Sequence, residues 1–171
     1  MNRTIRTVVQ ILAITAIFAV LGIIYYYAGA EIVKGSPVLQ KLRHGLTEWK
    51  GSFFYVALIT AGVCWLLAMI WYVMARWLLK IRYVEDADKR PIWLLFWLLC
   101  AIASLALPFI LTNYTELRVI QGLGGGIYWL GFSLFGLIGY YFSTAMFTPD
   151  HYKYVPFGGS VLHLLSAKKG A

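Results

Sequence analysis

Charge is scarce in this chain, and its absence from particular places matters more than its amount. Lys, Arg, Asp and Glu make up 13% of the 171 residues, and none of them falls within residues 8–28, 53–75, 92–112 or 124–147. Ionisable groups inside a bilayer are the usual mark of ion paths, proton relays and voltage sensors. Their absence from these four runs excludes such coupling through the runs themselves. Histidine is equally sparse: His44, His151 and His163 all lie outside the runs, which excludes haem held between facing helices. His44 and Glu48 stand four residues apart, but no candidate nucleophile accompanies them, so an acid–base–nucleophile constellation is not formed. The two cysteines, Cys64 and Cys100, sit singly in the middle of two runs. No CxxC pair is present, which removes disulfide exchange and zinc ribbons. Both cysteines read as small apolar packing residues. No cofactor, metal or catalytic residue is expected.

What is abundant is apolar length. Hydrophobic residues reach 61% and mean hydropathy is +0.73. Each run has 21 to 24 residues, which as a helix covers roughly 31–36 Å at about 1.5 Å per residue. The hydrocarbon core is about 30 Å thick, so each run is long enough to cross once with modest tilt. The expected fold is all-α: a single polytopic membrane domain over residues 1–171, a bundle of four transmembrane helices with a short amphipathic surface helix after the first span. Four spans leave no stretch of normal domain size for a soluble catalytic unit.

The net charge of +8 is a matter of topology rather than of nucleic acid. With the amino terminus inside, ten of the fifteen Lys and Arg residues fall on the cytoplasmic side, and Lys34, Lys41, Arg43, Lys50 and Arg118 fall outside. The positive-inside rule then places both termini in the cytoplasm, in what reads as a bacterial inner membrane. Anionic lipid headgroups are the expected partners of these cations. No basic and aromatic stretch lies outside a membrane flank, so nucleic acid is not expected as a partner. Arg3, Arg6, an apolar stretch and Ala28-Gly29-Ala30 resemble a signal peptide, but Tyr25, Tyr26 and Tyr27 stand where small residues are preferred. A retained signal anchor is the expectation.

Between the runs, Ser36-Pro37 caps and opens a second kind of helix. Val38, Leu39, Leu42, Leu46 and Trp49 recur at helical spacing, which predicts an interfacial helix over about residues 37–50. In the loop after the second run, Glu85, Asp86 and Asp88 lie between basic residues. They lack the glycine and distal glutamate of a calcium loop and read as solvated charge. Arg76, Lys80, Arg82, Lys89 and Arg90, with Lys168 and Lys169 of the tail (residues 149–171), are the candidate lipid or partner contacts. Gly122, Gly124, Gly125 and Gly126 lack the Lys-Ser/Thr of a phosphate loop and serve as an entry to the fourth helix. The sequon at Asn113 hugs the membrane too closely to be used. Pro108 predicts a kink in the third helix.

Within lipid, helices join through small residues. Ala57, Ala61, Cys64 and Ala68 form one such seam, and Ser133, Gly136, Gly139 and Ser143 another; the first run adds Ala13, Ala16, Ala19 and Gly22. Aromatics, 17% of the chain, cluster near the run ends as an interfacial belt, with Trp65 and Trp97 deeper. The sequence therefore points to a non-enzymatic integral inner-membrane subunit or scaffold of a larger envelope assembly, of secretion, conjugation, respiratory or defence type. Its partners would be other proteins or further copies, met through the small-residue faces. A small homo-oligomeric pore lined by Thr60, Ser104, Ser133, Ser143 and Thr144 is one alternative. A membrane enzyme acting on lipid or quinone is the other.

Overall fold

Inside hydrocarbon every backbone N–H and C=O must be satisfied within the segment, and an unbroken apolar run meets that demand as a helix. The computed structural model describes residues 3–34, 45–78, 90–114 and 126–148. They form α1 (Arg3–Lys34), α2 (Gly45–Val73, continued by a wider π-helical turn over Met74–Leu78), α3 (Arg90–Tyr114) and α4 (Gly126–Phe147). Three of these are long and apolar enough to cross a membrane: Thr4–Ala28, Lys50–Leu78 and Pro91–Leu111. In α4 the apolar stretch among the residues whose side chains are described is Leu134–Phe147. The helices outrun the apolar stretches read from sequence. α1 carries its polar ends, Arg6 and Glu31, in the same helix as its span, and α3 passes through Pro108 without ending. Residues 45–50, expected in a separate surface helix, are instead the first turns of α2. Residues 37–44, the loop at 80–89, the glycines at 122–125 and the tail at 149–171 lie outside the described residues.

Neighbouring helices run in opposite directions. At one end the Tyr25 and Phe53 rings are 5.3 Å apart; at the other, Gln10 of α1 meets Tyr72 of α2. α1 and α3 each pack on both α2 and α4, and α2 packs on α4 across the middle. The section is a rhombus with α2 and α4 on its short diagonal and α1 and α3 at its far corners.

The interior is built from Ile14 and Phe18 of α1, Cys64, Ala68, Trp71 and Tyr72 of α2, Trp93 and Cys100 of α3, and Phe135 and Tyr140 of α4. The exterior is just as apolar: Leu12, Ile24, Leu58, Leu66, Leu95, Ile102 and Phe142 are all exposed. A water-soluble bundle sorts apolar residues to one face of each helix. Here both faces are apolar, as a hydrocarbon surround allows, and the chain is built as an integral membrane protein.

Glycines on α4 set how closely the helices approach. A Cβ at Gly136 would stand 2.9 Å from the Ser104 Cβ and 3.0 Å from the Cys64 Sγ, and one at Gly139 would stand 2.6 Å from the Phe18 ring. At Gly22 and Gly62 a Cβ would meet nothing within 4 Å. Gly136→Leu is therefore expected to cost about 1–3 kcal/mol through overpacking. Gly62→Ala should leave stability unchanged or raise it, since Gly in a helix interior costs up to about 1 kcal/mol against Ala. Unfolding by titrated denaturing detergent, followed by circular dichroism, measures both.

Candidate functional site

Three features could carry function: a polar clamp at one end, a ladder of threonine hydroxyls, and an open groove. The clamp begins with Gln10, which carries the one side-chain amide in the apolar part of α1. Its Oε1 accepts a hydrogen bond of 2.9 Å from the Tyr72 hydroxyl and another from Nη1 of Arg76. The same Nη1 donates to the Tyr72 oxygen at 3.1 Å, and the guanidinium lies 5.6 Å from the centre of the Tyr72 ring. Arg76 sits in the π-helical turn, one turn beyond Tyr72 on the same face of α2. A cation at the edge of the apolar zone is thus held by an amide, a phenol and a π face.

The ladder repeats one device three times. Thr144 Oγ1 donates to the Tyr140 carbonyl at 2.8 Å and accepts the Trp93 indole N–H at 2.9 Å. Thr148 Oγ1 donates to the Thr144 carbonyl at 2.5 Å and accepts the Trp71 indole N–H at 3.1 Å. Thr15 Oγ1 donates to the Ile11 carbonyl at 3.0 Å and accepts the Trp65 indole N–H at 3.1 Å. In each case a threonine turns its proton onto its own helix four residues back, which leaves the oxygen to receive a donor from the neighbouring helix. The pairs fasten α3 to α4, α2 to α4, and α1 to α2. Ser104 makes the same backward bond to Cys100 at 2.6 Å, and the Cys64 thiol approaches that carbonyl at 3.9 Å. The Thr60, Tyr140 and Ser143 hydroxyls are buried with no hydrogen-bond partner among the described residues.

The groove lies between α1 and α2, toward the end marked by Tyr25, Tyr26 and Tyr27, and has a volume of about 550 Å³. Thr15, Ala19 and Gly22 line one wall, and Ala57, Ala61 and Gly62 the other; Trp65, Phe18 and Phe135 lie deeper, and Tyr26, Tyr27 and Phe54 stand at the mouth. Gly22 and Gly62, where a Cβ would meet nothing within 4 Å, both line the groove. Lys50 occupies the same face of α2 as Phe54, Ala57 and Ala61, at spacings of four, seven and eleven residues.

The seam residues fall into two groups. Cys64 and Ala68 are buried in the core, Gly136 and Gly139 close the contacts of α4, and Ser143 is buried. Ala57 and Ala61 are half-buried and face the groove. Ser133 belongs to α4 by its backbone. Of the basic residues, Arg76 is engaged inside the chain and Arg90 begins α3; Lys80, Arg82, Lys89, Lys168 and Lys169 lie outside the described residues. Gln10, Thr15 and Thr148 were not singled out in the sequence, and Thr144 was named there only as a pore-lining hydroxyl. Among the described residues no cluster of three or more His, Cys, Asp or Glu side chains stands ready for a metal. No family model, curated protein or solved structure matches the chain.

Gln10→Leu strips two donors of their acceptor, and a hydrogen bond to a charged group is worth about 1.5–3 kcal/mol. The variant is expected to lower unfolding stability by about 2 kcal/mol, and Tyr72→Phe, which keeps the Arg76–Gln10 bond, by less. The same detergent titration measures both; equal losses would assign the clamp to Tyr72 instead.

Proposed function

We infer that this chain is a non-enzymatic, four-span subunit or scaffold of a larger assembly in a bacterial inner membrane, with both termini in the cytoplasm. One observation supports this reading above the others. Thr15, Thr144 and Thr148 are spent on fastening helix to helix with Trp65, Trp93 and Trp71, while large apolar side chains such as Leu12 and Ile24 of α1 and Leu95 and Ile102 of α3 are exposed. Such a bundle is a rigid body that offers surfaces. The basic loop at 80–90 and the basic tail would then supply cytoplasmic contacts.

The pore alternative is less well supported. Thr60, Ser104, Ser143 and Thr144, the hydroxyls such a path would use, are 0–3% exposed and packed within one chain. A lumen between copies would need them on an outer face.

Purification of tagged protein in mild detergent, with the mass of the particle measured, tests the assembly. A particle well above the 19.4 kDa of one chain, holding other proteins or further copies, is expected; a lone monomer contradicts the reading. Topology has its own test. Cys64 and Cys100 are buried, so an impermeant maleimide should report only introduced cysteines. Ser36→Cys and Asp86→Cys are expected to label from opposite sides, with position 86 cytoplasmic; labelling from one side breaks the four-span arrangement.

A further inference from the structure

We propose that the groove between α1 and α2 is a binding site for an anionic phospholipid, with one acyl chain between the two helices and the headgroup phosphate at Lys50. An apolar groove that opens onto hydrocarbon is not left to water, and the surrounding medium offers acyl chains at every orientation. Length fits this occupant. From Thr15 to Tyr27 is a rise of 12 residue steps along α1, about 18 Å, which is a little over half of the roughly 30 Å hydrocarbon core and so the depth of one leaflet. The volume of about 550 Å³ is within the usual range of about 300–1,000 Å³ for small-molecule sites.

The lining sorts along that length. At the inner end, Trp65 and Thr15 have satisfied one another, so the floor presents no free polar group to a methyl terminus. In the middle, Ala19, Gly22, Ala61 and Gly62 give a narrow chain room between backbones. At the mouth, Tyr26, Tyr27 and Phe54 form an aromatic collar of the kind that sits at headgroup level. Lys50 stands one turn above Phe54 on the same stripe, where its ammonium meets a phosphate.

Chain burial alone gives no selectivity, because lipid tails are as apolar as the groove. Discrimination between lipids must come from charge, and a lysine near the surface is worth about fivefold in favour of an anionic headgroup. The site does not depend on whether the chain assembles with others, and its test is read on the isolated chain.

Trp65 is a built-in reporter on the groove floor. The full chain is reconstituted in phosphatidylcholine vesicles containing a minor fraction of lipid brominated along its acyl chains, either phosphatidylglycerol or phosphatidylcholine. The difference between the wild type and Trp65→Phe isolates the fluorescence of Trp65 from that of the other tryptophans. Quenching of Trp65 is expected at a several-fold lower fraction of brominated phosphatidylglycerol than of brominated phosphatidylcholine. Lys50→Gln should bring the two curves together, and Ala61→Phe, which fills the groove, should abolish quenching by both. Identical curves in the wild type, or a preference that survives Lys50→Gln, would overturn the proposal. No quenching of Trp65 by either lipid would also overturn it, since the groove would then be closed by protein, a second copy or a partner helix.

Discussion

The bundle depends on what threonine does with a single oxygen. In hydrocarbon a lone indole N–H or hydroxyl is costly, and no hydrophobic driving force brings helices together, so close packing and hydrogen bonds must do so. A threonine that donates to its own i−4 carbonyl costs its helix little, and its oxygen becomes an acceptor fixed in direction. Tryptophan supplies a donor at the end of a large rigid plane. The pairing settles both groups at once and sets rotation, depth and separation of two helices together. Its three occurrences fasten α1–α2, α2–α4 and α3–α4, so every helix is fastened to the α2–α4 diagonal or belongs to it.

The rest of the packing follows from that frame. Trp93 is fixed by Thr144, and around it Trp97 stacks at 5.8 Å and 17° while Tyr140 and Tyr141 tilt against its other sides. Trp71, fixed by Thr148, meets Phe96. Gly136 and Gly139 then allow the close approach that these lengths impose. α1 is fastened by Gln10 near one end and by Thr15 near mid-span, with its Tyr25 ring resting on α2 and α4 beyond them. Above the Thr15–Trp65 pair the two walls part to form the groove.

The helical, membrane-embedded character was legible in the sequence because it depends on run length and the placement of charge, both one-dimensional properties. On α2, Cys64 and Ala68 are buried while Ala57 and Ala61 line the groove, and the same spacing continues through the buried Trp71 and Ala75. Trp71 and Trp93 read as interfacial belt residues because they stand near run ends, yet they are 1% and 2% exposed. Belt and core positions share the same depth and differ only in helix rotation, which composition does not encode. Gln10 was invisible for a related reason: an uncharged amide passes through a hydropathy profile, although it was the strongest hydrogen-bonding group within the first run. The start of α2 was displaced because Trp49 and Lys50 suit an interfacial helix and the first turns of a span equally well.

The most direct test of this account is a double-mutant cycle on Trp93 and Thr144. Trp93→Phe removes the donor with a smaller ring and Thr144→Val removes the acceptor at nearly constant volume, and the cycle subtracts the packing each single change loses from their mutual term. Unfolding free energies of the wild type, the two single variants and the double variant, measured in lipid bicelles, are predicted to give a favourable coupling of about 0.6–1.7 kcal/mol, the span found for hydrogen bonds between membrane helices. A coupling indistinguishable from zero would contradict the claim that indole-to-threonine bonds hold this bundle together.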